Sequence, residues 1–141
     1  MIITFCGHSD FRGCEEYEEK IISILREKHA DEVYLGGYGA FDLFAYKCSL
    51  KYKKEENALK FTLVTPYLDS KHKKGFFEGE YDEIIYPSLE NVPPRFAISG
   101  RNEWMVENAD VVVAFVEREF GGAYKTLKYA KKRKKEIINI K

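Results

Sequence analysis

Three glycine-bearing turns are the first feature of the chain that could do chemistry. They are Gly7-His8, Gly36-Gly37-Tyr38-Gly39 and Gly121-Gly122. Glycine admits positive φ angles and lets backbone N–H groups approach a ligand closely. A helix that begins just after such a turn presents unpaired amides and a partial positive charge, which together hold an anion such as phosphate. Asp42 follows the second turn at the head of a helical segment, where its carboxylate could accept from a ribose hydroxyl or a base edge, or complement the helix N-terminus. Arg101 is a bidentate donor suited to phosphate or carboxylate. None of the turns matches G-x-G-x-x-G or a P-loop ending in Gly-Lys-Ser/Thr, which disfavours a standard dinucleotide fold and a phosphoryl-transferring ATPase.

Cysteine and histidine chemistry is weaker. Cys6, His8 and Cys14 lie close in sequence, but His29, Cys48 and His72 are scattered. A zinc site needs about four nitrogen or sulfur ligands, so no metal is expected. Cys6 with His8, two residues on, could mimic a nucleophile and base. The reading preferred here is a packed Cys6 and a His8 that lines a pocket. Cys14 and Cys48 read as core thiols. In the middle of the chain, Tyr67, Phe76, Phe77 and Tyr81 interleave with Lys71, His72, Lys73 and Lys74. Such a mixture can stack bases; the expectation is instead that the aromatics pack back onto the sheet edge or a neighbouring subunit. Glu78, Glu80, Asp82 and Glu83 are lesser candidates on the same segment.

The elements that must position these residues alternate. Ile2 to Cys6, Glu32 to Leu35, Ala58 to Thr65, Ile84 to Tyr86, Val111 to Val116 and Ile137 to Ile140 read as strands, the Val111 run as one covered on both faces. Between them, Cys14, Tyr17, Ile21 and Leu25 recur at helical spacing, as do Phe41, Ala45, Cys48 and Tyr52. A third helix follows Pro93-Pro94 and ends near Ala109. Gly121-Gly122 opens the last, with Ala123, Leu127 and Ala130 facing inward. Strands alternating with helices predict an α/β protein, a Rossmann-like three-layer sandwich with a mostly parallel sheet. Ligands of such sheets bind outside the carboxyl ends of the strands, at a topological switch point.

Composition bounds the rest. A chain of 141 residues with 33% charged and 45% hydrophobic residues is neither disordered nor collagenous, and residues 1–141 are expected to form one domain. No apolar run approaches the roughly 20 residues of a membrane helix. The N-terminus reads as a strand and not a signal peptide, and three cysteines suit no disulfide framework. A cytoplasmic location is expected. Net charge is zero, but eight of the 23 basic residues and one of the 23 acidic ones, Glu136, fall in residues 125–141. A basic last helix could serve a nucleic acid or a partner; a solvated helix face is the preferred reading.

Five segments carry a resemblance to a known group. They are Thr4-Phe5-Cys6-Gly7-His8, Gly36-Gly37-Tyr38-Gly39-Ala40-Phe41-Asp42, Val64-Thr65-Pro66-Tyr67, Arg101-Asn102-Glu103-Trp104-Met105-Val106-Glu107-Asn108-Ala109-Asp110 and Gly121-Gly122-Ala123-Tyr124-Lys125-Thr126. In this order they resemble the SLOG superfamily of Rossmann-like proteins, especially its small bacterial branch. That superfamily also holds the LOG ("lonely guy") phosphoribohydrolases and the DNA-processing protein A fold. The resemblance implies a pocket for a nucleotide or nucleotide-derived ligand. It implies that Gly121-Gly122 is the phosphate-binding loop with Thr126 as a further donor, that Arg101 stands near the phosphoribosyl group, and that copies of the chain self-associate through helices.

The chain departs from the LOG pattern Pro-Gly-Gly-x-Gly-Thr-x-x-Glu. Phe120 replaces the proline, Thr126 stands one residue late, and Lys128 occupies the place of the final glutamate. Glycosidic cleavage takes an acid or base at the departing group, so binding without hydrolysis is the expected function. Gly7, His8, Gly36, Gly37, Asp42, Arg101, Gly121, Gly122 and Thr126 are the expected ligand-binding residues, with no cofactor. The rival readings are a nucleoside 5′-monophosphate phosphoribohydrolase using Arg101, and a nucleic-acid or interaction module built on the last helix.

Overall fold

The structure is a computed structural model that describes residues 1–68 and 75–141; Lys71, His72, Lys73 and Lys74 of the basic and aromatic segment lie outside the described residues. The elements run β1 (Ile2–Gly7), α1 (Glu15–Glu27), β2 (Glu32–Leu35), α2 (Ala40–Lys53), β3 (Lys60–Val64), β4 (Glu83–Ile85), α3 (Pro94–Asn108), β5 (Val111–Phe115), α4 (Gly122–Lys132) and β6 (Glu136–Asn139). The strands form a six-stranded sheet in the order β4-β3-β2-β1-β5-β6. All of its pairings are parallel. The fold is the expected Rossmann-like three-layer sandwich.

Right-handed crossovers dictate where the helices go. The chain steps from β1 to β2 to β3 in one direction, so α1 and α2 share a face. It then returns to the far side of β1 and steps from β5 to β6 in the opposite direction, which puts α3 and α4 on the other face. Strand residues alternate accordingly. Ile3, Phe5, Val33, Leu35, Phe61, Val111, Val113 and Phe115 belong to the core under α1 and α2. Tyr34 and Val64 pack with Met105 of α3, and Val112 and Ala114 pack with Ala130 and Leu127 of α4. With both sides covered, β5 is wholly buried, which is why its sequence is a nearly continuous apolar run.

Helix boundaries follow local chemistry. α1 starts with Glu15, Glu16 and Glu18 in its first turn, where negative charge meets the positive end of the helix dipole. α3 begins at Pro94, a residue that suits a first turn because its missing N–H would have had no helical partner. α2 and α4 each start from a glycine, Gly39 at φ 90° and Gly121 at φ 92°. The passage from β3 to β4 contains no helix among the described residues. Its aromatics pack inward: Phe77 and Tyr81 lie 5.9 and 5.7 Å from the ring of Tyr46 on α2. The order of strands reverses between β1 and β5. Any ligand site dictated by the topology therefore lies at their carboxyl ends.

Candidate functional site

A cleft of about 320 Å3 opens at that switch point, at the small end of the range for small-molecule sites. Gly7 and His8 at the end of β1 line it. So do Asp42 on α2, Arg101 on α3, and Gly121, Gly122 and Thr126 at the head of α4. Gly7 is there because nothing larger fits: a Cβ would lie 2.2 Å from the Phe41 ring.

Gly36 and Gly37 do not line the cleft, a correction to the expectation that their turn offers amides to a ligand. Asp42 takes those amides itself. Its Oδ2 accepts from Gly36 N–H at 2.7 Å and from Tyr38 N–H at 3.4 Å, and Ala40 N–H donates to the Ser9 carbonyl at 3.1 Å. The Gly37 carbonyl accepts from Phe77 N–H at 3.0 Å. The turn is a scaffold. Gly36 is needed because a Cβ there would sit 2.8 Å from the Arg101 guanidinium carbon and 2.9 Å from Asp42 Oδ2. Burial pushes the Asp42 carboxyl above the usual range, while Arg101 and the amides of Gly36, Tyr38 and Gly37 pull it back.

Arg101 is only 3% exposed. Its Nη1 donates to the carbonyls of Gly36 (2.7 Å) and Val64 (2.8 Å), tying together the carboxyl ends of β2 and β3. Its Nε donates to Asn102 Oδ1 at 2.8 Å. Nη2 makes none of these bonds, and Arg101 lines the cleft. Burial draws the guanidinium pKa down to about 10, with the Asp42 carboxylate and Tyr67 opposing. The group stays cationic at neutral pH and fastens the fold as well as facing the site.

The head of α4 is open. No side chain caps it, and a Cβ built on Gly121 or Gly122 would meet nothing within 4 Å. The first capping bond comes from Lys125 N–H to the Gly121 carbonyl at 3.1 Å. The amides of Gly122, Ala123 and Tyr124 thus belong to the first turn, whose donors have no helical partner. Thr126 differs from the expected extra donor. Its hydroxyl donates back to the Gly122 carbonyl at 3.0 Å, the bond that threonine one turn into a helix tends to make. Only its lone pairs remain.

His8 is 4% exposed, and its Nε2 accepts from Glu117 N–H at 3.1 Å. An accepting Nε2 places the proton of the neutral ring on Nδ1. Burial pushes the imidazole pKa below its ordinary value, helped by Arg118 and opposed by Asp10 and Glu117. The Cys6 thiol is pushed up to about 12 by burial, with Asp42 adding to the effect, which keeps it a thiol and a poor nucleophile. Among the described residues no three His, Cys, Asp or Glu side chains gather as a metal site. Asp82 accepts from Phe61 N–H at 2.8 Å and Glu83 pairs with Lys60 at 2.5 Å; neither reaches the cleft, and Glu78 and Glu80 do not line it.

Arg118 is the charged lining residue that sequence reasoning missed. It stands on the loop between β5 and α4, with Nη1 and Nη2 on the Asp10 carboxylate at 3.2 and 3.1 Å. The guanidinium carbon is 5.2 Å from the centre of the Phe120 ring. The one available signal was position: a cation three residues before the Gly121-Gly122 turn.

No protein-family model matches the chain, and no curated protein matches it in sequence. Solved structures do match in fold. DNA processing protein A from Helicobacter pylori, described by its single-stranded DNA binding mode, aligns with a TM-score of 0.59 at 16% identity over 97% of this chain. DNA processing protein A from Streptococcus pneumoniae aligns with a TM-score of 0.62 at 12% identity over 96%. The chain spans 63% and 48% of those two proteins. The molybdenum cofactor carrier protein of Chlamydomonas reinhardtii aligns with a TM-score of 0.57 at 16% identity, covering 96% of this chain and 74% of that one. Two of the three are thus from a group that the SLOG resemblance names, and at these identities the likeness is one of fold.

Proposed function

We propose that this protein binds a nucleotide or nucleotide-derived small molecule in the cleft between the ends of β1 and β5, and does so without hydrolysing it. The observation that carries this reading is the uncapped head of α4, which opens into the same cleft as the buried Arg101. Amides and guanidinium together favour an anionic group, because each supplies donors and positive potential in a partly desolvated place. His8, whose neutral ring carries its proton on Nδ1, and the Asp42 carboxylate line the rest of the cleft and would meet the remainder of the ligand as donor and acceptor. The neighbours of this fold are described with single-stranded DNA and with molybdenum cofactor. A cleft of about 320 Å3 suits one small molecule better than a strand.

Binding without cleavage is favoured by the placement of carboxylates. The α4 motif carries Lys128 where a LOG enzyme has its acid, and Asp42 holds the Gly36 turn through one of its oxygens. Gly122→Asp is the informative variant. Its Cβ has open space and an acid in a first helical turn suits the dipole, so the fold is kept while a negative charge enters the anion end of the cleft. A thermal-shift and calorimetric panel of nucleoside mono- and diphosphates should give a ligand-dependent rise in melting temperature for the wild type. Gly122→Asp should lose that rise at unchanged or higher intrinsic stability. Chromatography of the same mixtures should recover the nucleotide intact; released base would move the reading to a phosphoribohydrolase.

A further inference from the structure

We infer that Asp10 competes with the ligand for Arg118, so that the Asp10–Arg118 pair is a latch across the mouth of the cleft which the bound anion takes over. The inference rests on the anion-binding reading of the cleft and assigns its regulation. Two contacts join the loop after β1 to the loop after β5: the hydrogen bond from Glu117 N–H to His8 Nε2 at 3.1 Å, and the ion pair of Arg118 with Asp10 at 3.1–3.2 Å. The first is buried and neutral. The second is a charged pair with the Asp10 side chain 69% exposed and that of Arg118 35% exposed.

The Asp10 contact leaves Arg118 incompletely satisfied. The carboxylate meets the guanidinium end-on, through Nη1 and Nη2, and Arg118 Nε is buried with no hydrogen-bond partner. A buried donor without an acceptor is costly, and an exposed ion pair offsets little of that cost. Arg118 lines the cleft together with Gly121 and Gly122. An oxyanion bound to the amides of α4 could accept from Nε and one Nη side-on, which the single carboxylate of Asp10 does not do. Phe120, 66% exposed, lies against the guanidinium and gives it a face on which to turn. The head of α4 is not the sole sign of a ligand here. His8 and Arg101, only 4% and 3% exposed, both line the cleft, and the buried Arg118 Nε beside them has no hydrogen-bond partner.

The latch predicts an inverted effect: removing an acid from the protein strengthens binding of an acid. The test is calorimetric titration of inorganic phosphate and AMP into the full chain, its Asp10→Asn and Arg118→Gln variants, and the double variant. Asp10→Asn should bind about two- to fivefold tighter, the range an exposed ion pair can withhold. Arg118→Gln should bind about tenfold weaker or worse, as loss of a charged hydrogen bond requires. The double variant should match Arg118→Gln, because Asp10 acts only through the arginine. If wild type binds and Asp10→Asn binds equally or more weakly, the latch is wrong while the anion site stands. If neither wild type nor Asp10→Asn binds either probe, both readings fall.

Discussion

His8 shows how one side chain can be read from its bonds. Because Nε2 accepts the Glu117 amide, protonation of the ring destroys that bond and charges a buried group. The folded pKa therefore lies below the ordinary 6.5. The native state then binds fewer protons than the unfolded chain at mildly acidic pH, so the contribution of His8 is full above pH 6.5 and is lost as pH falls toward the folded value. Urea midpoints measured from pH 7.5 to 5 should decline below 6.5. His8→Gln, whose carboxamide oxygen can accept the same amide without titrating, should flatten that part of the curve. The carboxyls held low by arginines, Asp10 beside Arg118 and Glu55 beside Arg26, lose their partners only below their ordinary values of 3.8 and 4.5, so their loss is separable by pH. A flat wild-type profile between 7.5 and 5 would mean that the His8–Glu117 bond does not govern the ring.

At the scale of elements, α4 is positioned by two adjacent glycines with different duties. Gly121 sits at φ 92°, ψ 177°, a region that only glycine occupies without strain, whereas Gly122 is the first residue of the helix. Neither position lacks room for a methyl group, so the two substitutions isolate backbone conformation. Gly121→Ala should destabilise by about 1–3 kcal/mol. Gly122→Ala should be neutral or stabilising by about 0.4–1 kcal/mol, because alanine narrows the unfolded ensemble at a compatible site. Equilibrium urea denaturation of the two variants makes the comparison; equal effects would show that the positive-φ turn before α4 is not what sets its direction. The second glycine turn works differently. Gly36 is small so that Arg101 and Asp42 can both reach its backbone, and that close approach, not a ligand, accounts for the residue.

Across the whole molecule, charge and topology point to opposite ends of α4. The helix has 11 residues, so about 16 Å of rise separates its uncapped head from the basic last turn. Part of that basic cluster is already engaged: Lys135 Nζ donates to the carbonyls of Glu107 and Ala109 at 3.0 and 3.1 Å, and Arg133 approaches Glu107 at 4.0 Å. With a formal net charge of zero, the chain has little long-range pull on a polyanion. Fluorescence anisotropy with labelled single-stranded DNA should show no strong binding at about 50–200 mM salt. Tight binding that collapses steeply with salt, the signature of counterion release, would transfer the function to the last helix.

The elements and their order were legible in the residues because their signals are local. The β2 strand was read at its observed bounds, Glu32–Leu35, and β5 one residue long, since alternation and apolar runs report burial directly. From there the parallel sheet and its switch point follow by rules of handedness. Of the seven lining residues that were anticipated, Gly7, His8, Asp42, Gly121 and Gly122 sit at a strand end or a helix head, whereas Arg101 lies in the middle of α3 and Thr126 one turn into α4. The division of labour among them was decided only by tertiary contacts. Nothing local to Asp42 says that it will take the Gly36 amide, and nothing near Arg101 says that it will bind carbonyls 37 and 65 residues away. The Asp10–Arg118 pair joins residues 108 apart. Whether a donor is spent inside the protein or left for a ligand depends on which acceptors folding brings within about 3 Å, and a linear pattern does not contain that distance.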